Sequence, residues 1–418
     1  MSDARRISSN AGYLAALTAS NYLLGLLIFP YLARVLSVEA FGLVGFSMTF
    51  VLVFQVVVEY GFMISATAEI SARRDDRHAI GRIIATTMLA KLILGTIAVA
   101  AFFAAAAVVP TVRDHMGIVG LFLVASILAA MLPDFYFRGT ERMRPIGVRA
   151  LVSRSLAIVL IIALVHDDYD LALVPIALGC GNILAIALGF AWIARAKIPL
   201  PRPTLRDALR SLRDGAGFFA SRVAASVNQS AGSFVLGLQF TPTSQAMGLF
   251  AGASRIASAG ELAVTPIADA VYPHMIARRD YSMFWRVYVR GLALWTIGCA
   301  AVVVWAKPIC TLVLGEEFAG AAGTLRILTI GVFFAYSSTM FGYAALSPLS
   351  LAKHANTALV VSATWTVVAF SVLWASGRVE PTSVAIVVAS ASIVTLAYRF
   401  AIFMGHREQW ARASSSGA

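Results

Sequence analysis

Long apolar runs separated by short charged breaks recur along the whole chain, each close to the roughly 20 residues that cross a bilayer as a helix. Read between charged or Pro/Gly-rich breaks, they predict about twelve spans. These fall near 11–33, 41–65, 83–109, 117–137, 148–165, 171–194, 216–240, 246–272, 287–306, 324–346, 357–376 and 382–404. The expected fold class is all-α, a polytopic membrane protein. The pattern is also written twice. Asn10 to Asp76 reappears loosely as Gly215 to Asp280, with Ala72-Arg73-Arg74-Asp75 returning as Ala277-Arg278-Arg279-Asp280. A displacement of about half the chain is what two duplicated sets of membrane helices produce.

The connections sort by charge. Even-numbered ones carry Arg73, Arg74, Arg77 and Arg82, then Arg138, Arg142, Arg144 and Arg149, then a cluster from Arg195 to Arg213, then Arg278, Arg279, Arg286 and Arg290, then Lys353. Odd-numbered ones hold Arg34, Arg113, Lys307 and Arg378, at most one apiece. The positive-inside rule therefore puts both termini and the even loops in the cytoplasm. An even span count per half makes the lobes parallel pseudo-symmetric repeats. The expected division is an N-lobe over 1–194, a cytoplasmic linker over 195–215, a C-lobe over 216–404 and a cytoplasmic tail over 405–418. Within the linker Pro199, Pro201 and Pro203 forbid a continuous helix, and Thr204 can cap a new one. That helix is amphipathic, with Leu205, Ala208, Leu209 and Leu212 opposite Arg206, Arg210 and Arg213, and is expected on the anionic lipids of the inner leaflet.

An ionisable group at mid-bilayer costs roughly 2.5–3.5 kcal/mol on insertion scales, so polar residues within the spans mark partners or a wet cavity. In the seventh span Arg222, Ser226, Gln229 and Ser233 stack in one stripe. In the eighth, Arg255, Ser258, Glu261, Thr265 and Asp269 share about a third of the circumference by the helix's 100° step, and Pro266 inside that helix is expected to free a carbonyl near Glu261. Two polar stripes on adjacent helices imply one hydrophilic cavity; the competing reading has Arg222 and Arg255 pairing with Glu261 and Asp269 as a helix lock. The first repeat offers Asn10, Thr18 and Asn21 in span one, Glu59 in span two and Lys91 in span three, and Glu59 and Lys91 are placed to pair. Arg34, beyond a kink expected at Pro30, belongs at the outer mouth or snorkels to the interface.

Composition sharpens the class. Hydrophobic residues make up 59 % of the chain, charged ones 13 %, and mean hydropathy is +0.81, which together exclude a soluble domain. The net charge of +12 alternates with the apolar segments, which argues against a nucleic-acid surface. The amino-terminal MSDARRISSN runs into an apolar stretch too long for a cleavable signal, so the first helix is expected to remain. Cys180, Cys299 and Cys310 are too scattered for a disulfide framework, the histidines stand singly, and no metal or other cofactor is expected. The acidic turn Asp167, Asp168, Asp170 reads as solvated. With no external loop beyond roughly twenty residues, catalysis is the weaker class and the chain does not read as an enzyme.

Several stretches carry a resemblance. FPYLARVLSVEAFG (Phe29 to Gly42), YGFMISATAEISARRDD (Tyr60 to Asp76), PDFYFRGTERM (Pro133 to Met143) and GEEFAGAAGTLRIL (Gly315 to Leu328) resemble, in order and spacing, the polysaccharide flippases of the MOP superfamily, the Wzx-type O-antigen translocases. The resemblance implies two six-helix lobes that open alternately to cytoplasm and periplasm. It implies, as cargo, an undecaprenyl-pyrophosphate-linked oligosaccharide moved across the bacterial inner membrane. Arg222 and Arg255, with Gln229, Ser226, Asn21, Lys91 and Arg34, are then candidates to hold the anionic head. Glu261, Asp269 and Glu59 are candidates for coupling to H⁺ or Na⁺. Lipid-linked oligosaccharide, membrane lipids and polysaccharide polymerase machinery are the partners so implied, and nucleic acid is not one. Two other readings stand beside it. A cation-coupled multidrug exporter of the same fold requires an acidic, arginine-free cavity, and a membrane-embedded glycan polymerase or ligase requires a large external loop.

Overall fold

A computed structural model of the chain describes residues 27–240 and 244–409, and every regular element among them is helical. Asn10, Thr18 and Asn21 lie outside the described residues, as does most of the tail. The chain divides into two units, the first comprising residues up to Ala40 with Ser47–Ser226, the second Phe41–Phe46 with the residues from Val227 onward. Nine helices among the described residues are long and apolar enough to cross a membrane. They correspond to the predicted spans two to six and nine to twelve, so the chain is a polytopic helical membrane protein.

In the first unit the sequence ends helices where it must. α1 covers 27–35, running through Pro30, and the Tyr31 hydroxyl donates to the carbonyls of Ile162 and Val165 at 3.1 and 2.7 Å. α2 (Val38–Glu59) stops because Tyr60 and Gly61 take left-handed backbone angles, φ 47° and 90°, before α3 (Phe62–Ala72) begins. Gly61 adopts that conformation freely; Tyr60 does so under strain of roughly 1–2 kcal/mol, its ring stacked on Phe219 at 4.5 Å. Asp76 caps α4 (Arg77–Val108), and the Ala79 backbone N–H that it accepts holds its carboxyl below the usual range. The short α5 (Pro110–Asp114) follows, then α6 (Met116–Ala130), α7 (Asp134–Gly139), α8 (Met143–Leu164) and α9 (Leu173–Arg195). Small residues on α9 allow close approaches: a Cβ on Gly181 would stand 2.7 Å from the Ser153 carbonyl oxygen of α8, and one on Gly189 3.0 Å from Pro133 at the joint of α6 with α7. Between α8 and α9 the acidic turn is occupied by backbone. Asp168 accepts from the Ser37 N–H at 2.8 Å and Asp170 from the His166 N–H at 3.0 Å.

Two expected boundaries move. Thr204 does accept from the Asp207 N–H at 3.2 Å at the start of a helix, but that helix does not end with the linker at 215: α10 runs unbroken from Leu205 to Gln239. The eighth span is not one helix. α11 (Gln245–Leu262) ends before α12 (Thr265–Arg278), and Pro266 sits in the first turn of α12, where its missing N–H disturbs no interior bond. These polar or broken stretches are why spans seven and eight fall outside the nine apolar helices, while most of span one lies outside the described residues.

The second unit continues with α13 (Tyr281–Val304), α14 (Ala306–Leu314), α15 (Ala322–Thr339), α16 (Ala352–Ala375) and α17 (Pro381–Gly405). Its core is aromatic, with Tyr281, Phe284, Tyr336, Phe341 and Phe403 fully buried. α15 passes into a π-turn at Met340–Ala344 where Gly342 leaves helical geometry, and the buried Arg399 of α17 satisfies the loosened backbone. Its guanidinium donates to the Ser338 carbonyl at 2.7 Å and the Ala355 carbonyl at 2.9 Å.

The closest backbone approach in the first unit gives a test. A Cβ on Gly81 would lie 1.7 Å from the Pro199 carbonyl oxygen, whereas one on Gly298 would meet nothing within 4 Å. Gly81→Ala is expected to destabilise the purified protein by about 1–3 kcal/mol, and Gly298→Ala to leave it unchanged or raise stability by up to about 1 kcal/mol. Apparent melting temperatures in one detergent check both.

Candidate functional site

A cavity of about 220 Å³ lies inside the first unit, between α2, α4, α8, α9 and the joint of α6 with α7. That joint exists because Pro133 has no N–H to continue α6, so the helix's final carbonyls need another donor. Lys91 of α4 supplies it: its ammonium donates to the Ala130 carbonyl at 2.6 Å and the Leu132 carbonyl at 3.3 Å, and lies 5.3 Å from the centre of the Phe135 ring. Beyond the joint, Asp134 opens α7 and stands 2.5 Å from Nη2 of Arg149. The Arg149 side chain is 2 % exposed, and its Nε and Nη1 have no hydrogen-bond partner.

Arg154, one turn further along α8, also lines the cavity, half-buried and with no hydrogen-bond or ion-pair partner among the described residues. On the other wall the left-handed break after α2 leaves Glu59 as the helix's last residue. Glu59 accepts from Gln55 at 3.0 Å and from Arg222 of α10 at 2.5 Å. That pair is partly solvated, with side chains 24 % and 39 % exposed, so it is weaker than its length suggests. Asn182 of α9 donates to the Ala125 carbonyl at 2.9 Å and turns toward the same space. Three cations, Lys91, Arg149 and Arg154, thus line the cavity with two carboxylates, Glu59 and Asp134, and Arg222 is tied to it through its pair with Glu59. An apolar lobe that concentrates positive charge around open donors is arranged to accept an anion.

The sequence-derived candidates distribute unevenly over this geometry. Glu59 and Lys91 line the cavity and Arg222 pairs with Glu59, though Lys91 bonds helix-end carbonyls rather than Glu59. Within the first unit the partner of Arg222 is Glu59. Ser226 is buried on α10 with its hydroxyl unpartnered, and Arg34 is exposed on α1. Gln229 of α10, Arg255 and Glu261 of α11 and Asp269 of α12 belong to the second unit; Arg255 is half-buried and the other three are exposed. Asp134, Arg149 and Arg154 escape sequence reasoning: Arg149 was counted among the basic residues that set topology, and Arg154 and Asp134 have no partner visible along the chain. The usable signal is the i, i+4, i+5 spacing of Arg149, Ser153 and Arg154 on one helix.

Residues 7–277, all of the cavity's lining included, match the model of a family described as "Polysaccharide biosynthesis protein". The chain belongs to this family. A "Putative O-antigen transporter" of Escherichia coli (strain K12) is 31 % identical over 272 residues, 64 % of this chain and 64 % of that protein. The alignment therefore spans just under two thirds of the length of that relative. A second protein of the same description, from Shigella dysenteriae, is 24 % identical over 306 residues, covering 72 % of this chain and 76 % of its own. Among solved structures, the lipid II flippase MurJ in an inward closed conformation matches with a TM-score of 0.71 at 14 % identity, over 97 % of this chain and 90 % of that one. An inward-facing MATE multidrug transporter of the MOP superfamily matches with 0.67 at 15 % identity, over 96 % of each chain. At such identities the likeness shows the fold, and this family member has the fold of the MOP superfamily.

Removing the helix-end donor tests the construction of the site. Lys91→Met is expected to lower stability by about 1–3 kcal/mol, leaving the Ala130 carbonyl buried and unpaired, and Lys91→Arg to recover part of the loss. Chemical denaturation in detergent, followed by tryptophan fluorescence, reads the order of the three proteins.

Proposed function

We propose that this polysaccharide biosynthesis protein is a flippase. It carries undecaprenyl-pyrophosphate-linked oligosaccharide units from the cytoplasmic to the periplasmic leaflet of a bacterial inner membrane by alternating access, and does no covalent chemistry. The observation that carries the reading is the excess of cation over carboxylate in the cavity of the first unit. A pyrophosphate diester bears one negative charge on each phosphorus, and charge-assisted bonds from arginine strengthen where water is excluded. The family description and the names of the relatives support the same class.

In this reading Arg149 and Arg154 hold the head, and Arg222 with Lys91 completes the positive field. Arg255, Gln229, Ser226, Asn21 and Arg34 remain candidates for contacts with the rest of the cargo. Coupling to H⁺ or Na⁺ falls to carboxylates that lie beside these cations, with Glu59 first and Glu261 and Asp269 behind it. Both termini are assigned to the cytoplasm by the loop charges, and a polymerase acting on the delivered units is the implied downstream partner. Export of cationic drugs, the alternative on the same fold, is disfavoured by like-charge repulsion in this cavity.

Leaflet transfer of a fluorescent undecaprenyl-pyrophosphate oligosaccharide in proteoliposomes tests the proposal. Arg149→Gln and Arg154→Gln are each expected to slow transfer roughly tenfold or more, the loss of one charged hydrogen bond to phosphate. Transfer by both variants at the rate of the unaltered protein would remove the cavity from the transport path.

A further inference from the structure

The cavity keeps a charged pair that it does not complete. Asp134 and Arg149 sit 2.5 Å apart with Arg149 almost wholly buried, yet the contact is not aligned as a hydrogen bond, and Asp134 Oδ1 remains unpartnered in that sense. A guanidinium that serves only as a structural lock normally meets its carboxylate through two parallel bonds. Here Nε and Nη1 are left unpaired, a state that buried donors avoid unless something else comes to them. Arg154 lies on the same wall without a partner, and the ammonium of Lys91 is within the field of both Asp134 and Glu59. The cavity volume of about 220 Å³ corresponds to roughly seven waters at their liquid share, room for a phosphate group beside the pair.

We propose that Asp134 is a resident counter-anion, which occupies Arg149 in the empty cavity and is displaced from it by the phosphate of the cargo. This rests on the cavity being the site of an anionic head group. The swap explains how one buried arginine is tolerated empty and still binds. The carboxylate offsets its charge between cycles, and its misaligned contact keeps the rest of the guanidinium available. Because Asp134 is the first residue of α7, joined to the Lys91-held end of α6, its release also loosens the start of that helix. Asp134 is thus a positioning residue, acting on cargo through Arg149. Removing its charge strengthens anion binding, whereas removing a merely structural partner weakens it.

The measurement is calorimetric titration of the detergent-purified full chain with geranyl pyrophosphate. Asp134→Asn is expected to bind roughly tenfold tighter than the unaltered protein and Arg149→Gln at least tenfold weaker. Adding Asp134→Asn to Arg149→Gln is expected to change nothing further. A second readout uses the unaltered protein alone: amide hydrogen exchange in residues 134–139 is expected to quicken when geranyl pyrophosphate is bound. Binding by the unaltered protein, with Asp134→Asn equal or weaker and exchange in 134–139 slowed or unchanged, overturns the displacement and leaves the flippase reading standing. No binding by the unaltered protein overturns both. Equal affinity for phosphatidylglycerol in a parallel titration would make bulk lipid the displacing anion and overturn the assignment to cargo.

Discussion

One ammonium group organises the first unit. Pro133 interrupts a membrane helix, and a helix end inside hydrocarbon has no water to satisfy its carbonyls. Lys91 reaches across from α4 and takes two of them. With the joint fixed, Asp134 is set at the head of α7, Arg149 finds its carboxylate, and the close packing of α8 on α9 through Gly181 carries Arg154 to the same wall. The charged cavity is therefore a consequence of how a broken helix is repaired.

Much of the architecture is written in the sequence, and for a simple reason. Apolar length is a strong signal because a bilayer is a solvent of fixed thickness, and the nine apolar helices stand where windows of hydropathy put them. What the windows miss is polarity that serves the backbone. Pro266 reads as a kink in one helix and instead starts another, because the sequence shows the missing N–H but not whether the chain stops before it. The linker drawn to residue 215 and span seven from 216 are one helix, α10, because a charged amphipathic start and an apolar continuation can share one unbroken helix.

The site is legible by half. Glu59, Lys91 and Arg222 stand out as charges within apolar runs; Glu59 and Lys91 line the cavity and Arg222 holds Glu59. Arg149 hides at the edge of a span, where a basic residue ordinarily marks topology, and Arg154 stands just inside it with no partner along the helix; both line the cavity of the first unit. Asp134 hides inside a short motif whose family resemblance is visible while its partner is not. Partners across helices are set by packing geometry, and periodicity along one helix carries no information about them.

The unpaired nitrogens of Arg149 also bear on how this protein responds to selection for robustness. A substitution that gave them a permanent acceptor would complete the hydrogen bonding of the first unit and raise its stability. On the reading proposed above, it would also occupy the donors that a transient guest takes. Around this cavity, thermal hardening and turnover pull in opposite directions. If the cavity is the cargo site proposed above, variants chosen for surviving heat or detergent will include well-folded molecules that carry nothing.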